Sequence, residues 1–249
     1  MDPSAIGFMS DLAFFHNDLP FSAYSTSHLV VMLIAIALVA LIFIANTKLN
    51  HQQNLLIGRS LSIFLALTVV VYTMLEMVLG RFTIAEDLPL STCNLFCILA
   101  PWLFWRANFK YFVVVYFLVM AGTLQAVITP DLYRGFPSYG FFKYWITHVG
   151  LVLLVIHYLV CFELYPTAKS MLTAFSWLNI YVLALLPINY LLNANYFYLM
   201  AKPINPSVLD YFGPWPIYIL VAEILVMGFF AISMLPVILV KKMAKNSTS

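Results

Sequence analysis

Residues 28–47 read HLVVMLIAIALVALIFIANT, an apolar run with no Asp, Glu, Lys or Arg in it. As an α-helix, a run of about 20 apolar residues is long enough to cross the roughly 30 Å hydrocarbon core of a bilayer. This stretch therefore predicts a transmembrane helix, and the rest of the chain has the same character.

The composition of the 249 residues restricts the class of protein. Hydrophobic residues make up 63% of the chain and charged residues 9%, and the mean hydropathy is +0.96. Soluble domains carry roughly 25% charged residues, so this chain cannot cover a water-facing surface. A soluble enzyme, a nucleic-acid-binding protein and a disordered segment are excluded. The net charge of +2 is too small to indicate a polyanionic partner.

Further apolar segments follow the first one, and the fold class that they predict is an all-α polytopic membrane helical bundle of about seven helices. The predicted spans lie near 28–47, 60–80, 88–106, 108–129, 142–164, 170–192 and 214–240. We expect an outer N-terminal segment (1–27), a seven-helix transmembrane domain (28–240) and a basic cytoplasmic tail (241–249).

The distribution of Lys and Arg between the loops predicts the orientation, because cytoplasmic loops carry an excess of these residues. With the N-terminus outside, the inner side carries Lys48, Arg59, Arg106, Lys110, Lys169, Lys241, Lys242 and Lys245. The outer side carries Arg81, Arg134, Lys143 and Lys202. The bias predicts an N-terminus outside and a C-terminus inside.

Polar side chains inside six of the predicted spans lie at about the same depth, near the outer leaflet. They are His28, Glu76, Cys93 with Asn94, Gln125, His148 and Asn189. Each alone could join two helices by a hydrogen bond. Together they indicate a polar chamber, since ionisable groups within a membrane usually face a cavity. Glu223, midway along the seventh span, is either a further cavity residue or an acid paired between helices.

Cys93 and His148 are predicted at the same depth, and a thiol and an imidazole together suggest nucleophilic catalysis. A thiol beside an imidazole can act as a nucleophile, because the imidazole accepts the thiol proton. Asn94, Gln125 or Asn189 could donate to an oxyanion or orient the imidazole. The chain has no His-x-x-x-His or Cys-x-x-Cys spacing, so we expect no metal, and nothing in the sequence predicts a cofactor.

Several short motifs stand out in the sequence: Leu88-Pro89-Leu90 with Cys93-Asn94-Leu95, Gly122-Thr123-Leu124-Gln125 with Thr129-Pro130-Asp131, Thr147-His148, and Gly213-Pro214-Trp215-Pro216. Together these motifs resemble the YwaF-like family of integral membrane proteins. This family is related to eukaryotic transmembrane acyltransferases that make polyunsaturated ether phospholipids, and more distantly to hydrolases of lipid esters. The resemblance implies a Cys nucleophile and a His base, which map onto Cys93 and His148. The distant hydrolases use Thr, which makes Thr92 a residue to control for.

Two functions follow as hypotheses. The first is an intramembrane lipid acyltransferase or lipid-ester hydrolase, with membrane lipids as acyl donor and acceptor. The alternative is a transporter or flippase for a small or lipid-linked solute that uses the same polar chamber. A retinal-type receptor is disfavoured, because the seventh span has no Lys within its apolar stretch. We expect a multi-pass protein of a bacterial plasma membrane, and the oligomeric state stays open.

Overall fold

The computed structural model describes residues 14–15, 20–203 and 208–247, and within these ranges the fold is a bundle of seven helices. The helices are α1 (Thr26–Asn46), α2 (His51–Val78), α3 (Thr92–Leu103), α4 (Phe109–Ile128), α5 (Tyr139–Cys161), α6 (Ala168–Leu192) and α7 (Ile217–Ile232, continued after Ser233 as Met234–Ser247). An isolated antiparallel bridge joins Pro20 to Arg134. The all-α membrane bundle predicted from the sequence is confirmed.

Six of the seven helices are long and apolar enough to cross a membrane, and α3 is not. The predicted span 88–106 was too long, because α3 begins only at Thr92, after Ser91 caps it by accepting from the Asn94 amide at 3.4 Å. Its 12 residues rise by roughly 18 Å. Residues 79–91 therefore enter the bundle as irregular chain. The Tyr196 hydroxyl accepts from the Leu88 amide at 3.0 Å and holds this stretch in place.

Several other helix ends also differ from prediction. Helix α2 begins at His51 rather than near residue 60, because Asn50 and Gln53 form a capping box of reciprocal side-chain to backbone hydrogen bonds. Helix α5 begins at Tyr139, where the Ser138 hydroxyl accepts from the Phe141 amide. The last helical segment continues through residues 241–247, so the basic residues predicted as a separate tail extend α7. Most of the predicted outer segment 1–27 lies outside the described residues.

Helix α5 is the centre of the bundle and packs against α1, α2, α3 and α4. Two glycines allow α2 and α5 to approach closely. A Cβ atom on Gly150 would lie 2.5 Å from Leu65, and one on Gly58 would lie 2.6 Å from the ring of Tyr158. That ring is fully buried, and its hydroxyl donates to the Phe104 carbonyl, so it has little freedom to move.

The substitution Gly58→Ala is expected to destabilise the fold by about 1–3 kcal/mol, because overpacking forces a fixed neighbour to shift. The measurement is the unfolding midpoint of the purified protein in detergent. Gly228→Ala is the control, since a Cβ there meets nothing within 4 Å; alanine should leave stability unchanged or raise it slightly. Equal midpoints for the two variants would contradict the packing role of Gly58.

Helix α4 contains a π-helical segment, Val119–Thr123, between two α-helical parts. A π turn adds a residue to one turn of the helix, and such turns occur frequently at functional sites. The segment packs against α5 and α7. It ends at Thr123, which is 1% exposed, and it therefore sets the direction in which this hydroxyl points.

Candidate functional site

The candidate site is centred on Cys93, the second residue of α3. Its Sγ lies 3.4 Å from the Oγ1 of Thr123 on α4. The His148 side chain on α5 is an electrostatic neighbour of the same thiol. Matching depth thus corresponds to real proximity, and three helices bring a thiol, a hydroxyl and an imidazole together.

The hydrogen bonds of His148 determine which of its ring nitrogens can take a proton. Nδ1 lies 2.7 Å from the carbonyl oxygen of Tyr144 and 3.3 Å from the hydroxyl of Thr147. A carbonyl only accepts, so Nδ1 carries the hydrogen, and in a neutral imidazole Nε2 is then the acceptor. The ring is also stacked on Tyr144, with centroids 4.0 Å apart. His148 is held in the tautomer that a general base requires.

This tautomer also bears on the surroundings of the thiol. With Nε2 free to accept, His148 can take the proton of the neighbouring Cys93 thiol, and the Thr123 hydroxyl, 3.4 Å from Sγ, can donate to the sulfur. The thiol therefore has both a proton acceptor and a hydroxyl donor among its neighbours. A thiolate formed there would keep the hydroxyl as a stabilising donor.

Lys143 completes the group, although the sequence indicates only a charge on the outer side. Its Nζ donates to Asn94 Oδ1 at 2.8 Å and lies 4.9 Å from the centroid of the Tyr72 ring. It interacts electrostatically with Cys93. Across the described ranges, no carboxylate forms an ion pair with Lys143, and Asp87 influences it only from beyond hydrogen-bonding distance. A half-buried cation thus faces the thiol.

Glu76 lies at the edge of this group rather than beside the thiol. Its side chain is 6% exposed, and it is an electrostatic neighbour of Tyr72 and Tyr139. These two tyrosines stack with ring centroids 5.5 Å apart. Tyr72 is therefore a neighbour of both the acid and Lys143.

Asn189, predicted as an oxyanion donor or orienting residue, is fully used elsewhere. Its Nδ2 donates to the Tyr196 carbonyl at 2.9 Å, and its Oδ1 accepts from the Tyr196 amide at 2.8 Å. The side chain is 0% exposed and lies in a cluster formed by the end of α6 and the following loop. The structure gives Asn189 the role of holding this loop, and Tyr196 in turn holds residues 79–91.

His28, predicted to line the cavity, joins α1 to α4. Its Nδ1 accepts from the Tyr24 amide at 2.9 Å, and its Nε2 donates to the Val127 carbonyl at 2.9 Å. The ring is 0% exposed and stacks on Trp145, with centroids 5.1 Å apart. Both nitrogens are occupied, so His28 faces no open space.

Among the described residues, neither Glu223 nor Gln125 forms a hydrogen bond with the thiol group. Glu223 Oε2 accepts from Asn179 Nδ2 on α6 at 3.1 Å, which answers the question left open by the sequence in favour of an acid paired between helices. Gln125 is half-buried, and its backbone carbonyl accepts from Thr129. Within the described part of the chain its side chain has no hydrogen-bond partner. Its role at an oxyanion stays a prediction.

An apolar groove of about 250 Å³ runs between α1, α4 and α5. Every residue that lines it is apolar, among them Met32, Val39, Leu124, Val152 and Ile156. Leu124 follows Thr123 and Val149 follows His148, so the groove is lined by sequence neighbours of two members of the site. Its shape and lining suit a hydrocarbon chain.

The site contains no arrangement typical of a metal centre. Among residues 14–15, 20–203 and 208–247, no three His, Cys, Asp or Glu side chains are grouped closely enough to hold a metal ion. The arrangement instead provides a thiol with an imidazole that can accept its proton and a lysine ammonium group nearby. These are the parts needed for nucleophilic attack on a carbonyl.

Comparison with known proteins identifies a family. The model of the TMEM164 family, a family of transmembrane proteins, matches residues 23–234. No curated protein and no solved structure gives a significant match. The YwaF-like relationship and the acyltransferase activity that it implied stay predictions. The matched region begins just before α1, includes the whole site and ends just inside the second segment of α7, so the chain is a multi-pass membrane protein that belongs to the TMEM164 family.

Proposed function

We propose that this protein is an intramembrane enzyme that cleaves phospholipid acyl esters through Cys93 and transfers the acyl group to a second lipid or to water. The observation that carries the proposal is the thiol of Cys93, which lies 3.4 Å from the Thr123 hydroxyl and has the His148 imidazole as its electrostatic neighbour. The resemblance noted above supports the same chemistry and a location in a bacterial plasma membrane.

In the first half-reaction, Cys93 Sγ attacks the ester carbonyl carbon while His148 Nε2 takes the thiol proton. The ester carbon–oxygen bond then breaks, and His148 returns the proton to the leaving alkoxide, which departs as a lysolipid alcohol. The acyl group remains on Cys93 as a thioester. The Nδ1 hydrogen bond to Tyr144 keeps Nε2 directed at the reaction throughout.

In the second half-reaction, an acceptor hydroxyl loses its proton to His148 Nε2 and attacks the thioester carbon. The thiolate leaves and regains the proton from the imidazolium. A lipid alcohol as acceptor gives a new ester, and water gives a free fatty acid. The product therefore distinguishes a transferase, which forms a new ester, from a hydrolase, which releases a fatty acid.

Two further residues would support the negative charge that develops on the carbonyl oxygen. Lys143 places an ammonium group in a half-buried setting beside the thiol, where charge stabilisation is stronger than in water. Asn94 holds that ammonium group through its Oδ1. In this proposal Asn94, which was predicted to donate to the oxyanion or orient the imidazole, instead positions Lys143. The apolar groove between α1, α4 and α5 would hold the acyl chain while its ester lies at Cys93.

The transporter alternative has less support from the structure. It depended on a polar chamber formed by side chains from six helices. His28, Asn189 and Glu223 are each bonded to a neighbouring helix or loop instead. A transport role would also give no reason for the tautomer that the Tyr144 carbonyl imposes on His148.

The test is to trap the thioester. Purified protein is incubated in lipid nanodiscs of phosphatidylcholine, phosphatidylethanolamine and phosphatidylglycerol that carry radiolabelled acyl chains, and the reaction is stopped with acid. We expect label on the protein that neutral hydroxylamine releases, together with a lysophospholipid. Folded protein that yields no labelled protein, fatty acid or transferred ester would overturn the proposal and make transport the next function to assay.

A further inference from the structure

A second cavity lies at the opposite end of α3, where the chain turns into α4. Its volume is about 530 Å³, and Trp102, Trp105, Arg106 and Tyr111 are among its lining residues. This volume is within the range of small-molecule binding sites. Trp102 lies nine positions after Cys93, roughly 14 Å along the helix axis, so this cavity is separate from the thiol group.

Contacts from a neighbouring helix hold the walls of this cavity in place. Trp102 and Tyr111 contact each other, with ring centroids 4.9 Å apart. The Arg59 guanidinium of α2 lies 4.7 Å from the centroid of the Trp105 ring, and its Nε donates to the Trp105 carbonyl at 2.9 Å. The corner between α3 and α4 is thus anchored to α2.

The charge of the cavity favours an anion. Arg106 lines it and is exposed, and no acidic residue is among its lining residues. Helices alternate in direction through the bundle, so this corner lies at the end that carries the excess of Lys and Arg. An arginine can bind a phosphate through two parallel hydrogen bonds, and tryptophans are enriched at the depth of lipid headgroups.

The rim of the cavity favours a lipid over a soluble anion. Trp102 is 63% exposed and Tyr111 is 41% exposed, and both belong to helices of a membrane bundle. The opening therefore continues into an apolar, lipid-facing surface. A ligand with a phosphate head and hydrocarbon tails would match both parts, whereas a free phosphate would use only the arginine.

We propose that this corner is a binding site for the phosphate headgroup of an anionic phospholipid. Arg106 binds the phosphate, the two tryptophans and Tyr111 enclose the headgroup, and the acyl tails lie along α3 and α4. The lipid bound here is not a substrate, and the proposal does not depend on the chemistry of Cys93.

The experiment is native mass spectrometry of the purified full chain, in detergent supplied with equal amounts of phosphatidylglycerol and phosphatidylcholine. Wild type should retain phosphatidylglycerol in preference to phosphatidylcholine, and Arg106→Gln should lower that preference roughly fivefold, the equivalent of one cation near a membrane surface. Arg106→Lys should keep most of the preference. Lys169→Gln is the matched control, because Lys169 is an exposed cation at the same end of the bundle and outside the cavity.

Three results would overturn the proposal. One is an unchanged preference in Arg106→Gln with a normal unfolding midpoint. Another is an equal loss in Arg106→Gln and Lys169→Gln, which would indicate a general effect of charge at this end of the bundle. The third is displacement of phosphatidylglycerol by millimolar inorganic phosphate, which would show that the cavity takes the free anion instead of the lipid.

Discussion

Cys93→Ala is expected to abolish lipid acyl turnover, with a loss on the order of 10³-fold or more, because removal of a catalytic nucleophile eliminates the covalent route. The measurement is release and transfer of labelled acyl chains by the purified protein in nanodiscs. Mass spectrometry of lipids from cells that express each variant at matched levels gives a second readout. Cys93→Ser should also be severely impaired, because a serine hydroxyl holds its proton more tightly than a thiol.

Cys161→Ala is the matched control for this loss. The Cys161 thiol lies 3.5 Å from Nδ1 of His157, so it is also a half-buried cysteine beside an imidazole. Among the residues that the structure describes, no hydroxyl or cation neighbours this thiol. We expect Cys161→Ala to keep turnover within about threefold of wild type, an effect of under about 1 kcal/mol. Full turnover in folded Cys93→Ala would exclude a role for Cys93 as the nucleophile and return it to helix packing.

His148→Ala is expected to lower turnover by roughly 10²- to 10⁴-fold, the usual contribution of a general base. The thiol loses its proton acceptor, so alkylation of Cys93 by iodoacetamide at neutral pH should slow as well. Added imidazole should restore part of the turnover, because it can occupy the space of the missing ring. Restoration by a free base is an effect that a purely structural histidine would not show.

His157→Ala is the control for the loss of a buried imidazole. His157 Nε2 donates to the Asn54 carbonyl at 2.8 Å and joins α5 to the start of α2. It lies nine residues after His148 along α5. We expect this variant to unfold more readily and to keep its turnover per folded molecule. A His148→Ala variant that retained turnover within tenfold of wild type, without added imidazole, would show that another group accepts the proton.

The sequence predicted helix positions and depths well, because both follow from hydrophobic length. Cys93 and His148 were placed at one level by counting residues, and the structure brings them together. The position of a side chain in the bundle depends on its depth and also on the rotation of its helix about the helix axis. Asn189 and His28 share the predicted level with Cys93 but point into other contacts, which a count along each helix cannot reveal.

Two members of the candidate site are missing from the sequence-based prediction, for separate reasons. Thr123 reaches the thiol at the end of a π-helical turn, and an ordinary helical period assigns that position to a different direction. Lys143 was counted with the outer loops, because a lysine near a helix end is normally solvated. Lys143 precedes His148 by five residues, just over one turn of the same helix. This spacing is the feature of the sequence that could have indicated its place in the site.

The shortness of α3 has a consequence for how a polar acceptor and a hydrocarbon acyl chain would reach the same thiol. Its rise of roughly 18 Å leaves about 12 Å of a 30 Å hydrocarbon layer to irregular chain, and the backbone there needs polar partners from protein or water. Residues 79–91 obtain some from Tyr196 and Tyr181. Cys93, the proposed nucleophile, follows directly on this stretch, at the start of α3. In the proposed reaction, the hydrogen-bonding needs of residues 79–91 would favour water on this side of the thiol, so a polar acceptor and a membrane-dissolved acyl chain would reach it from different sides.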